Sequence, residues 1–300
     1  MINNCPNSEC SKFQKNDDVV KDGFFKRSCD SRKIQRFKCK VCKKKFSRST
    51  GKLEFGQKKR RENPMIFKLL SSCVSLRRTA KILNVSRGTV VRRLQYFGEK
   101  SRIQNEKFKT LNLKNSVEHL QIDDLVSKEN SKLKPLSVSI AVDAESRYIL
   151  GVEVSEIRAF GHLAQRGRIK YPKRINQHKE GLTNLFQGIK DLVKEDALIR
   201  SDEHKFYPGF IKEYFPVAKH EAYKGEKGCI AGQGELKKTK HDPLFAINHT
   251  CAMLRANINR LVRKTWCTTK DPQRLKDHLD LFICYFNSEI IKDSNFVPTQ

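Results

Sequence analysis

Residues 116–124, SVEHLQIDD, decide how the C-terminal half of the chain is read. Val117, Leu120 and Ile122 recur at roughly the spacing of a half-buried strand, and the run stops at the acid pair Asp123-Asp124. Residues 135–146, PLSVSIAVDAES, alternate through Leu136, Val138, Ile140 and Val142, and Asp143-Ala144-Glu145-Ser146 is a hairpin-turn composition. YILGVEVS (148–155) makes a third strand, so the segment opens as an antiparallel meander. A helical stretch follows at 181–196, with Leu182, Leu185, Phe186, Ile189 and Leu192 on one face. Then come a strand, ALIRSDEH (197–204) with Asp202, and another, FPVAKHEAY (215–223) with His220. A long helix is expected from Asp242, as N-cap, and Pro243 to about Lys264.

The order βββαβαβα predicts an α/β domain with a mixed five-stranded sheet. Ligands of such sheets gather where neighbouring strands diverge. Asp123 and Asp202 are expected there on adjacent strands. Carboxylates brought together repel unless a hard cation bridges them, and near phosphate that cation is Mg²⁺.

The rest of the chain points the same way. Its 300 residues carry 61 Lys and Arg against 33 Asp and Glu, a formal charge of +28. A field of that sign attracts polyanions, nucleic acid first among them. The sequence has no run of 18 apolar residues and no signal-peptide core at its start, so a membrane role is not expected. The ten cysteines are read as thiols or metal ligands of a cytosolic chain.

Between Lys26 and Arg61 sixteen basic residues face only Asp30 and Glu54, with Phe37, Phe46 and Phe55 interspersed, as in a small folded basic module. Cys5-x4-Cys10 and Cys39-x2-Cys42 fit one tetrahedral structural zinc, with Cys29 as a spare ligand. Residues 1–55 are therefore read as a zinc ribbon whose lysines and arginines contact phosphate. Residues 62–98 carry helical apolar spacing in three pieces. Asn84 suits a turn, Ser86 an N-cap, and Ala80 a close helix crossing, which together describe a helix-turn-helix. Its expected DNA contacts are Arg77, Arg78, Ser86, Arg87, Thr89, Arg92 and Arg93. Residues 99–115 are polar and aperiodic and read as a linker; 116–300 form the catalytic domain.

The segments RFKCKVCKKKFS, SLRRTAKILNVSRGTVVRRL, QIDD, IRSDEHKFY and INHTCAMLRANINRLVRKTW together resemble insertion-sequence transposases of the DDE type. Those proteins join a zinc ribbon and a helix-turn-helix to an RNase H-like catalytic domain. The resemblance implies two divalent ions, Mg²⁺ or Mn²⁺, held by an acid on the first strand, an acid ending the fourth, and a third ligand on the helix after the fifth. Asp123 and Asp202 match the first two. The third, usually Glu, precedes a basic residue by seven positions; Asn248 before Arg255 matches, as a neutral variant. Glu235, 33 positions after Asp202, is the rival third ligand. Asp124 and Glu203 would support the main acids, while His220 and His249 are left open.

Arg255, Arg260, Arg263 and Lys264, with the basic loop 163–179, would grip double-stranded DNA, both element ends and target. Pairing two ends implies a homodimer or larger assembly, in the bacterial cytoplasm and on the nucleoid through DNA. The implied reaction is metal-dependent strand cleavage and strand transfer. The alternatives are a catalytically dead, transposase-derived DNA-binding regulator, for which only the asparagine speaks, and a metal-dependent nuclease that joins nothing.

Overall fold

The computed structural model describes residues 4–15, 17–28, 31–224, 242–262 and 266–291. It divides into two compact units, Met1–Met65 and Ile66–Gln300. In the first, β1 (Val19–Lys26), β2 (Lys33–Cys39) and β3 (Lys45–Phe46) form an antiparallel sheet in that order. Its buried apolar set is Phe37 and Phe46 with Cys5, Cys10 and Cys39. So small a core leaves the folding of this unit to whatever the cysteines hold.

Three helices follow, α1 (Asn63–Ser71), in which the second unit begins, α2 (Leu76–Ile82) and α3 (Arg87–Asn112). The Ser75 side chain accepts the Arg78 N–H at the start of α2, and Ser86 accepts the Thr89 N–H at the start of α3. Asn84 turns the chain between them at φ 47°. Ile66, Leu70, Ala80, Val90, Leu94 and Phe97 close the core of this helical group.

α3 corrects the sequence reading: residues 99–112, expected as linker, continue the helix. Its 26 residues span roughly 39 Å. The stretch looked aperiodic because its contacts are polar and small rather than apolar. It lies on α8 (Pro272–Tyr285), which runs on into a π-helical turn at Phe286–Ile290. Ser101 is buried there, and Arg102 donates to Asp280 Oδ2 at 2.7 and 2.9 Å. α8 in turn supplies Leu281 to the core of the helical group, and His278 Nε2 bonds the Leu70 carbonyl at 2.7 Å.

The sheet contains β4 (Val117–Lys128), β5 (Pro135–Asp143), β6 (Ile149–Glu156), β7 (Val193–Asp202) and β8 (Lys219–Tyr223). Their order is β6-β5-β4-β7-β8, the first three antiparallel and the last two added in parallel. The mixed five-stranded sheet expected from the sequence is present. α4 (Ala164–Lys170) and α5 (His178–Ile189) follow β6, and α6 (Tyr207–Tyr214) joins β7 to β8. Leu182, Leu185, Phe186 and Ile189 of α5 pack with Leu120 and Ile122 on one face of the sheet. α7 (Phe245–Asn257) and α8 cover the other, where Ile247, Cys251 and Leu254 meet Leu125, Val138 and Ile140. α7 is shorter than expected: Ile258 is extended at φ −102°, ψ 105°, so Arg260 lies past the helix, in a 3-10 turn. Arg263 and Lys264 fall outside the described residues, as do Cys29 and Glu235.

Gly98 sets the approach of α3 to α8, because a Cβ there would lie 2.6 Å from Asp277 Cβ. Gly98→Ala is expected to destabilise the second unit by about 1–3 kcal/mol. Denaturant melts that coincide with wild type would contradict this close approach.

Candidate functional site

The parallel register of β4 on β7 places the two sequence-predicted acids. Ile122 stands beside Ser201, so the next residues, Asp123 and Asp202, lie side by side on one face. β7 ends at Asp202, whereas β4 runs on to Lys128 along β5. The first acid pair therefore sits within its strand rather than at its end.

Each carboxylate is disturbed by this placement. Burial first, and then the charge of Asp202, push Asp123 up to about 7, against the Asp124 N–H and the charge of Arg255. Asp202 is also raised, by burial and then by the charges of Asp124 and Glu203, against the His204 N–H. Two acids that resist ionising together will accept a cation between them.

α7 crosses this face and is fixed there by Gln121, two residues before Asp123. Gln121 Nε2 donates to the Pro243 carbonyl and its Oε1 accepts the Ile247 N–H, each at 3.0 Å. The stripe Asn248, Cys251, Arg255 has helical i, i+3, i+7 spacing. Both Cys251 and Arg255 feel the charge of Asp123. Burial, then that charge, push the Cys251 thiol up to about 12. Asn248 donates from Nδ2 to Asp242 Oδ2 at 2.9 Å, an orientation that leaves Oδ1 to face a ligand. Asp242 is not the N-cap expected: α7 starts at Phe245 after Leu244, without a side-chain cap, and Asp242 instead accepts the Leu244 N–H at 2.9 Å in the turn before it.

The two open histidines look elsewhere. His249 contacts the Arg147 guanidinium in the β5–β6 turn and lies against Phe245. His220 bonds Ser201 Oγ at 2.9 Å, on the opposite face of the sheet from Asp202.

Sequence reasoning gave Asp124 a supporting role and passed over its partners. Strand alternation turns Asp124 to the α5 face. There Oδ1 accepts from Ser137 (2.9 Å) and Ser139 (2.5 Å), and Oδ2 pairs with His178 Nε2 at 2.8 Å. Burial acts to raise Asp124, yet these bonds, His178 first, hold it below the usual carboxylate range. Neighbouring aspartates are thus driven in opposite directions. His178 came from the stretch 163–179 read as a DNA-gripping loop. That stretch is instead partly helical, and its Arg174 bonds Glu129 at 3.0 Å, Glu156 at 3.1 Å and two backbone carbonyls. The signal that could have found His178 is its place just ahead of the apolar face of α5.

In the first unit the predicted cysteine set is assembled. Cys5 and Cys42 sulfurs are 3.6 Å apart, and Cys10 and Cys39 sulfurs 3.9 Å. Four sulfurs at bonds of about 2.3 Å around a tetrahedral zinc would be about 3.8 Å apart, so the set fits that ion. The Lys44 N–H turned toward Cys42 holds that thiol down to about 6.

Of the candidate DNA contacts, Arg77, Arg78, Ser86, Arg87 and Arg92 are exposed and Thr89 is half-buried. Arg93 is buried in the helical group and Arg260 donates to Thr269 Oγ1 at 3.1 Å, so both serve the fold. No helix among the described residues is long and apolar enough to cross a membrane.

No protein-family model and no curated protein matches this chain.

Two outcomes test the sites. With chelator present, Asp123→Asn should melt above wild type at pH 8. The raised Asp123 favours the folded state in acid, and that contribution is lost as pH rises through about 7 from its ordinary 3.8. The gap should narrow toward pH 5; equal melts at both pH values would show Asp123 to be unperturbed. Separately, the purified chain should carry one zinc, and Cys39→Ser should lose it and the fold of the first unit. Retention of one zinc by that variant would remove Cys39 from the set.

Proposed function

We propose that the chain is a DNA transposase of the DDE type, with an RNase H-like catalytic domain, a zinc ribbon and a helix-turn-helix. The observation that carries this reading is the side-by-side placement of Asp123 and Asp202 on adjacent parallel strands, under a helix bearing Asn248 and Arg255. The strand order, with a three-stranded meander extended by two parallel strands, supports it. So do the exposed arginines of α2 and α3 and the charge of +28.

Asp123, Asp202 and the Asn248 amide oxygen would hold two divalent cations, Mg²⁺ or Mn²⁺. When bound, these supply activation of a water or 3′-hydroxyl and neutralisation of charge at the phosphate. The protein's own residues then have distinct tasks. Asp123 gives up the proton that it keeps near neutral pH before a cation can be accommodated. Asp242 holds the Asn248 amide nitrogen, which would leave the amide oxygen for a cation. Arg255 offsets the negative charge of Asp123 and stands where a phosphate would approach. Ser75 and Ser86 fix the starts of α2 and α3, and with them the arginines that would meet DNA phosphates. Double-stranded DNA is the proposed partner, bound by a homodimer or larger assembly in the bacterial cytoplasm.

A second reading, a DNA-binding regulator without catalysis, is favoured by the uncharged Asn248. One experiment separates the two: Mg²⁺- or Mn²⁺-dependent cleavage and joining of the DNA that flanks the gene. Wild type should cut and join. Asp123→Asn and Asp202→Asn should bind the same DNA yet lose about 10²-fold or more in cleavage. Asn248→Ala should lose activity and be folded. If Asn248→Ala matches wild type, the amide is no ligand and Glu235 takes its place. If wild type binds the flanks and never cuts, the regulator reading stands.

A further inference from the structure

On the α5 face of the sheet, behind Asp123, three side chains from three elements converge. Asp124 comes from β4, His178 from the first turn of α5, and His204 from the turn after β7. One carboxylate oxygen and one nitrogen from each ring lie within 4.8 Å of one another. The two rings stand 4.9 Å apart, edge to face.

We propose that Asp124, His178 and His204 bind one divalent transition-metal ion, at a site separate from the Asp123–Asp202 pair. Donors around an ion with bonds of about 2.1 Å lie about 3.0–3.5 Å apart. The 2.8 Å from His178 Nε2 to Asp124 Oδ2 and the 4.8 Å limit of the cluster bracket that span. The short pair shares a proton that the ion would replace.

Each donor is held from behind. Ser137 and Ser139 occupy Asp124 Oδ1 and aim Oδ2 at the histidines. The Asn176 side chain accepts the His178 backbone N–H at 3.2 Å, and the Asp202 carboxylate accepts that of His204 at 3.1 Å.

An independent feature also points to a ligand. The Tyr207 hydroxyl is fully buried next to the Asp124 carboxylate, without an ordinary hydrogen bond to satisfy it. A buried hydroxyl beside a carboxylate and the His204 ring is suited to a water bound on the ion.

Two imidazoles and one carboxylate select Zn²⁺, Mn²⁺, Fe²⁺ or Co²⁺ over Mg²⁺, whereas the all-oxygen pair on the other face suits Mg²⁺. The ion would tie the middle of β4, the start of α5 and the turn that bonds Asp202, and so hold the second acid in place. This site stands whether or not the chain cuts DNA.

The test is a Co²⁺ titration of the full chain, its cysteine site filled with one zinc and Mg²⁺ in excess, followed by visible absorption. One Co²⁺ should bind with bands of a nitrogen–oxygen shell and without thiolate charge-transfer bands. His204→Gln and His178→Gln should each weaken it by about 10-fold or more, with circular dichroism unchanged, and Asp202→Asn should keep it. His204 is only half-buried, so its variant stays informative should His178→Gln unfold. The proposal is overturned if wild type takes up no such Co²⁺, or if His204→Gln binds it as wild type does. It is equally overturned if Asp202→Asn loses the ion that His204→Gln retains.

Discussion

Both acid sites of the second unit depend on the register between β4 and β7. With Ile122 beside Ser201, Asp123 and Asp202 face one side and Asp124 faces the other. A slip of one residue would exchange the two neighbours and leave the acid pair unmatched. The register is held by apolar side chains on the α5 face, Leu120, Ile122 and Ile199 among them, and by the Gln121 clamp on α7. Burying carboxylates at this place costs stability in the absence of a counterion, and the upward displacement of Asp123 and Asp202 is the sign of that cost. A cation bound between them would remove that cost.

The same strand shows how one dipeptide serves two environments. Asp123 has a neighbouring acid, one backbone N–H and a distant arginine, and keeps its proton to about neutral pH. Asp124, equally enclosed, has two serine hydroxyls and a histidine, and stays ionised. What separates them is the number of donors within reach, which follows from the face that each one meets.

The helical group and the sheet of the second unit are joined through a shared helix pair. α3 starts in the three-helix group and runs on toward the sheet, and α8 lies along it. Gly98 and Ser101 allow the backbones to approach, while Arg102 meets Asp280 and Leu281 enters the helical core. Contacts of this kind carry little apolar area, so their strength lies in fit and in paired charge. They also consume basic residues. Arg93, Arg102, Arg174 and Arg260 are engaged within the unit, so the charge of +28 overstates the surface available to a polyanion.

The sequence by itself determined the elements with a strong local signature. Strict alternation in residues 135–142, the serine cap at Ser86, the turn at Asn84, and the paired cysteines were all legible, because each rests on neighbours a few positions away. Asp123 and Asp202 could be nominated for the same reason, as acids closing apolar runs. Only the tertiary structure decided what depends on distant partners. It made 99–112 helix, since α8 rather than an apolar stripe supports that stretch. It ended α7 at Asn257 and turned His220 and His249 away from the acids. It also gathered Asp124, His178 and His204 from positions 80 residues apart in the chain. No local pattern records such a meeting, because it is set by strand register and by the packing of α5, not by any one segment's own preference.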